Sequence, residues 1–210
     1  MTDVPWIEVA AVGAAAAVAA CFRPFDALRA RALRVPWAVA LLVLPLLWSA
    51  ERVLPGGVVL QLSGACLLVL MFGWPLAVWT VLPVAALGAW LGGAPPWPRA
   101  VELAAWQGVL PATLALALGI ATRRWLPAHP FVFILGRGFI GTALASVIAG
   151  AVATGLRPLP AGADPAALLT GHWLMAWGEA FLTGMLVAIF VAFKPEWLLT
   201  WSDRRYLPRA

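Results

Sequence analysis

The stretch Gly171–Lys194, GHWLMAWGEAFLTGMLVAIFVAFK, decides the fold. It is long enough to cross a bilayer as a helix, which takes roughly 20 apolar residues. Two groups inside it are costly at membrane depth, His172 and Glu179. They are seven residues apart, so a turn of about 100° per residue places them on one face, roughly two turns from each other. Met175 lies near that stripe and Thr183 extends it by a turn. A second stripe repeats small residues at every fourth place: Ala176, Ala180, Gly184, Ala188 and Ala192. Small residues let a second helix approach closely where water does not drive association. An ionisable residue at this depth is a functional candidate. The competing reading of Glu179 is structural, as a protonated hydrogen-bond donor to a neighbouring helix.

Working outward, the composition agrees with this stretch. With 63% hydrophobic and 11% charged residues, and a mean hydropathy of +0.93, the chain is not an ordinary soluble domain. Thirteen tryptophans suit a protein with many membrane–water interfaces. Its long apolar runs read as helices and lack the alternation of an outer-membrane barrel. The expected fold is all-α: a polytopic helical membrane protein of about seven transmembrane helices, residues 1–210 forming one integral membrane domain. The expected spans are 6–22, 35–50, 58–72, 75–91, 100–122, 130–155 and 171–194. The third and fourth are divided only by Phe72-Gly73-Trp74-Pro75, a stop followed by a start. They could also form a re-entrant pair. Residues 157–169 read as the longest outer loop. Residues 193–210 read as an amphipathic, basic cytoplasmic tail along the membrane surface.

The basic residues set an orientation. Ten lie on one side (Arg23, Arg29, Arg31, Arg34, Arg123, Arg124, Lys194, Arg204, Arg205, Arg209) and three on the other (Arg52, Arg99, Arg157). The positive-inside rule then places the N-terminus outside and the C-terminus in the cytoplasm. The net charge of +5 follows from this topology, so no nucleic-acid partner is implied. Cys21 and Cys66 have neither disulfide nor zinc spacing. No hydrolase, metalloprotease or phosphate-loop motif is present, so no enzyme activity and no cofactor are expected.

The polar residues that could meet inside such a bundle are Gln61, Ser63, Arg137, His172 and Glu179. Together they form the candidate substrate-binding set. Arg137 must either snorkel or find a partner, Glu179 being one choice. His172 can equally be an interfacial histidine. As metal ligands, His172 and Glu179 make a weak pair, because first-row sites converge three or more donors.

These residues carry a resemblance. The last helix, with His172, Gly178-Glu179-Ala180, Thr183 and the following Pro195-Glu196, resembles that of the CbiM-like membrane subunits of energy-coupling-factor transporters. The segment VLQLSGACLLVLMFGWPLAVWTVLPVAALGAWLGG is similar to a second part of that family, and the tail Asp203–Leu207 to a third. The resemblance implies a substrate-capture subunit that works with a coupling membrane subunit and partner ATPases. It also implies a metal bound by an N-terminal Met-His start and by a histidine in the second segment. Here the chain starts Met1-Thr2-Asp3, and Gln61 stands at the histidine's place. The scaffold is therefore expected without the usual cobalt or nickel site, the substrate being another metal cation, divalent metals included, or a small molecule. A multi-pass protein of the bacterial cytoplasmic membrane, surrounded by lipid, is the expected setting. The alternative expectation is a non-transporting accessory or assembly subunit of a larger respiratory or photosynthetic membrane complex. Two faces are candidates for docking the coupling subunit: Ala11, Ala15 and Ala19 of the first span, and the small stripe of the last.

Overall fold

The computed structural model describes residues 6–50, 52–53, 59–93, 96–158 and 163–206. The Met1–Asp3 start, most of the 51–58 turn, the centre of the 157–169 loop, and the tail from Leu207 through Arg209 lie outside them. The described chain is almost wholly helical: α1 (Trp6–Cys21), α2 (Arg31–Ser49), α3 (Ala65–Leu91), α4 (Pro96–Leu103), α5 (Leu110–Trp125), α6 (Gly141–Leu156), α7 (Pro165–Phe193) and the short α8 (Asp203–Tyr206). Two-residue strands β1 (Arg52–Val53) and β2 (Val59–Leu60) pair antiparallel between α2 and α3. A π-helical stretch, Ala104–Val109, joins α4 to α5, and another, Val132–Ile140, leads into α6.

Among the described residues, five helical segments are long and apolar enough to span a membrane: Arg31–Ser49, Ala65–Leu91, Trp97–Trp125, Val132–Leu156 and Pro165–Phe193. The sequence led to about seven, and each shortfall has its own cause. One is α1, apolar but only 16 residues long. The other is the expected span 58–72, whose described residues, 59–72, are helical only from Ala65. Residues 61–64 run in without helix, and Gly64 adopts the left-handed region at φ 68°. A half-helix, 65–72, begins there and is ended by Gly73 at φ 75° and ψ 160°, a backbone region essentially restricted to glycine. The chain then reverses into helix 74–91. The stop-and-start reading of 72–75 thus marks a real break inside α3. The last helix begins six residues before its expected start, at Pro165, where the Asp164 side chain accepts the Ala166 N–H at 3.0 Å.

Prolines explain where outside groups enter the helical ladders. Pro111 has no N–H for the carbonyl of Gln107, and the Ser63 hydroxyl donates to that carbonyl instead, at 2.6 Å. Pro75 likewise leaves the Met71 carbonyl open, and the Leu199 N–H fills it at 2.8 Å. Neighbouring Leu70 accepts from the Thr200 N–H (3.4 Å) and hydroxyl (2.7 Å). The described part of the chain after α7, through Tyr206, is therefore folded against the bundle. Leu198, Trp201 and Tyr206 are buried, and Phe133 packs edge-on against both Trp201 and Tyr206.

Helices α6 and α7 run antiparallel in close contact, as their small residues require. A Cβ on Gly184 would come within 3.1 Å of Phe139, and one on Gly138 within 3.3 Å of Val187. The small stripe of α7 is thereby largely taken up inside the protein. Ala176, Ala180 and Gly184 are buried, which removes them as an outer docking face. Ala15 and Ala19 of α1 also face the bundle, against Val78 and Val109.

Candidate functional site

The site is built on the entry of α3. Because Gly64 turns the backbone into the left-handed region, the first N–H groups of the half-helix point into the bundle with no preceding turn to receive them. Glu179, from the middle of α7, supplies the acceptors. Its Oε1 accepts from the Gly64 N–H at 2.9 Å and its Oε2 from the Ser63 N–H at 3.3 Å. The Ser146 hydroxyl of α6 donates to Oε2 at 3.4 Å. A carboxylate at a helix N-terminus also sits at the positive end of the helix dipole. Among the described residues no cation forms an ion pair with Glu179.

The rest of the 61–64 segment is equally tied. The Gln61 side chain donates to the Trp48 carbonyl and accepts from the Gln107 amide, both at 2.8 Å. Trp48 Nε1 donates to the Ser63 carbonyl at 3.0 Å, and the Ser63 hydroxyl accepts from the Ala65 N–H at 3.1 Å. Three elements (α2, the π stretch before α5, and α7) thus converge on these four residues, and α6 joins them through Glu179.

Above this floor lies a cavity of ≈ 420 Å³ between α4, α5, α6 and α7. Its walls include Gln107, Met175 and His172. A Cβ at Gly150 would approach His172 to 2.6 Å, so the glycine is what lets the imidazole lie against α6. At the rim, Glu102 pairs with Arg99 at 2.8 Å and with Arg157, whose guanidinium also faces the Trp106 ring at 5.9 Å.

Gln61, Ser63, His172 and Glu179 all line this cavity, so four of the five residues singled out in the sequence come together. Arg137 does not join them. It lies on α6's π-helical lead-in, nine residues before Ser146 and hence roughly 13 Å along the axis from Glu179's level. It does not snorkel into solvent either, being only 9% exposed. Its guanidinium lies 5.1 Å from the Phe133 ring and rests on Gly119 of α5, where a Cβ would come within 3.2 Å of Nε. As a metal site the pair His172 and Glu179 gains no third member. Among the described residues no three His, Cys, Asp or Glu side chains gather in a way that could hold a metal.

No family model, curated protein or solved structure matches the chain. The site therefore rests on its own geometry. Two of its members escaped the sequence reading. Gln107 is visible as a glutamine in an apolar run four residues before a proline, a position whose free carbonyl invites a donor. Ser146 carries no such signal, since a serine amid alanines and glycines reads as one more small packing residue.

Proposed function

We propose that the protein is the substrate-capture membrane subunit of an energy-coupling-factor-like transporter, and that its cargo is a small polar molecule. The observation that carries this reading is the ≈ 420 Å³ cavity closed at its floor by a helix that starts inside the bundle, with Glu179 at that start. Discontinuous helices whose ends meet a central cavity are how transporters place polar binding groups at membrane depth. The volume lies in the range of small-molecule pockets, roughly 300–1,000 Å³. A metal cation fits this lining less well, because its strong ligands do not converge: His172 and Glu179 lie two turns apart on one helix, and Glu102 is paired with Arg99 and Arg157 at the rim. The resemblance to CbiM-like subunits points to the same class of transporter, with ATP hydrolysed by partner subunits.

In this reading the N-terminus is outside, the C-terminus is cytoplasmic, and the chain crosses the bacterial cytoplasmic membrane seven times. The third crossing is made by the 59–64 leg and the half-helix. The rim with Arg99 and Arg157 then opens outward. Reporter fusions after Arg34 and Arg124 are expected to read as cytoplasmic, and fusions at Gly93 as external.

Native purification of the full chain followed by mass spectrometry and elemental analysis tests the function. The expected result is a stoichiometric small organic molecule, retained less by Gln107→Ala and His172→Ala. Stoichiometric metal without an organic ligand would overturn the choice of cargo. Stable co-purification with an oxidoreductase complex, and an empty cavity, would favour the accessory-subunit reading.

A further inference from the structure

At the opposite end from the cavity rim, a cleft runs between the end of α5, the start of the α6 segment and α8. It is lined by Thr122, Arg123, Val132, Arg137, Arg205 and Tyr206, among others. Three arginines converge there, and no acidic residue lines it. The nearby Asp203 is turned to Trp201, accepting from its Nε1 at 2.6 Å. Arg123 and Arg205 make no ion pair with any described residue. Arg137 is nine-tenths buried, and its Nε and Nη1 meet no acceptor. A guanidinium held this far from water, beside Arg123 and Arg205 and with no carboxylate in the cleft, leaves a concentration of positive charge that no described acidic residue offsets.

The surroundings say what kind of group offsets that charge. The cleft lies at the ends of spanning helices, where Trp125 and Leu126 on one side and Phe131 on the other present exposed apolar side chains. Guanidinium groups match phosphate oxygens in charge and geometry. Basic pockets between spanning helices on the cytoplasmic side are suited to anionic headgroups. From these observations we propose that the Arg123–Arg137–Arg205 cleft is a binding site for a phosphate group, with the phosphodiester of an anionic phospholipid as its source.

The test uses the full chain in two arms. In the first, native mass spectrometry counts lipids retained from nanodiscs of phosphatidylglycerol mixed with phosphatidylcholine. Wild type is expected to keep phosphatidylglycerol selectively, and Arg123→Ala and Arg205→Ala, both at exposed positions, each to lower that retention about fivefold. Arg31→Ala, an exposed arginine assigned to the same side, is expected to leave it unchanged. In the second arm, lipid-free protein in neutral detergent is titrated with inorganic phosphate against chloride at equal ionic strength. A phosphate-specific rise in melting temperature, lost in Arg205→Ala and unaccompanied by selective lipid retention, would keep the phosphate site but assign it to a soluble source. Equal retention of the two lipids with no phosphate effect overturns the site. So does an Arg31→Ala loss as large as the others, which would mean diffuse attraction to an anionic surface.

Discussion

Glu179 and Arg137 are both buried ionisable groups within the same bundle, and the fold treats them in opposite ways. Glu179 meets two backbone N–H groups and a hydroxyl, so its oxygens are engaged by the protein itself. Arg137 meets an aromatic face and a bare glycine backbone, and two of its nitrogens have no acceptor. The carboxylate belongs to the architecture even where it borders a cavity. The guanidinium is packed in place by the architecture and not satisfied by it. Burial of a charge, taken alone, therefore does not identify a functional group. The inventory of what each polar atom touches is more informative.

The largest test of this contrast is Glu179→Ala, which strands two buried donors at the head of the half-helix. A loss of about 3–5 kcal/mol is expected, at about 1–3 kcal/mol per orphaned donor. Reversible denaturation in mixed micelles would measure it. Glu179→Gln keeps one acceptor and turns an amide NH₂ toward the other N–H, so about half that loss is expected. A Glu179→Ala protein as stable as wild type would break the comparison, leaving the carboxylate without an architectural role.

Next in size is Gly64→Ala, which requires a left-handed alanine and brings a Cβ to 2.7 Å from Leu44 Cδ2. About 1–3 kcal/mol of destabilisation follows from strain and overpacking. If the Gly64 N–H truly positions Glu179, this variant also weakens retention of any cavity ligand, read in the same native mass spectra.

Arg137→Met is expected to change stability in the other direction. In lipid-free detergent it removes a buried, incompletely matched cation and retains much of the volume, raising stability by about 1 kcal/mol. The gain should shrink in membranes rich in anionic lipid. Destabilisation in both settings would show that the guanidinium is satisfied within the protein, and the contrast with Glu179 would fall. The smallest expected effect belongs to Thr200→Val. It removes the hydroxyl bond to Leu70 but keeps the backbone one, at a cost of about 0.5–1.5 kcal/mol by thermal melting.

Much of this architecture was legible in the residues. Apolar length and helical periodicity marked the long spans, and Phe72-Gly73-Trp74-Pro75 announced the break in α3. The repeat Ala176, Ala180 and Gly184 announced that α7 would lie close to another helix. The shape of residues 59–64 was not legible, because VLQLSG is apolar enough to continue a helix. It is stopped there by Gly64's left-handed turn together with acceptors on Glu179 and donors from Trp48, residues 15 and more than 100 positions away. The position of Arg137 was hidden for a related reason. Whether an arginine two turns into a span snorkels, pairs or folds inward depends on a neighbour's missing side chain, here Gly119, and on a tail that closes over it.

The half-helix has one more consequence, for the order in which the chain is made. The N–H groups of Ser63 and Gly64 at its head are received by a residue 115 or more positions later, and its last carbonyls accept from residues about 130 positions later. During synthesis this segment emerges long before Glu179, Leu199 and Thr200, and contacts of such sequence separation form late. A ribosome-bound chain stopped at residue 170 would hold the head of the half-helix through Trp48 and Gln107 but would lack the acceptors of Glu179 and the donors of Leu199 and Thr200. One stopped beyond residue 206 with enough tether to clear the exit would have both. The floor of the cavity is thus among the last parts of the protein to be built, and its completion coincides with the arrival of the final helix and the segment after it.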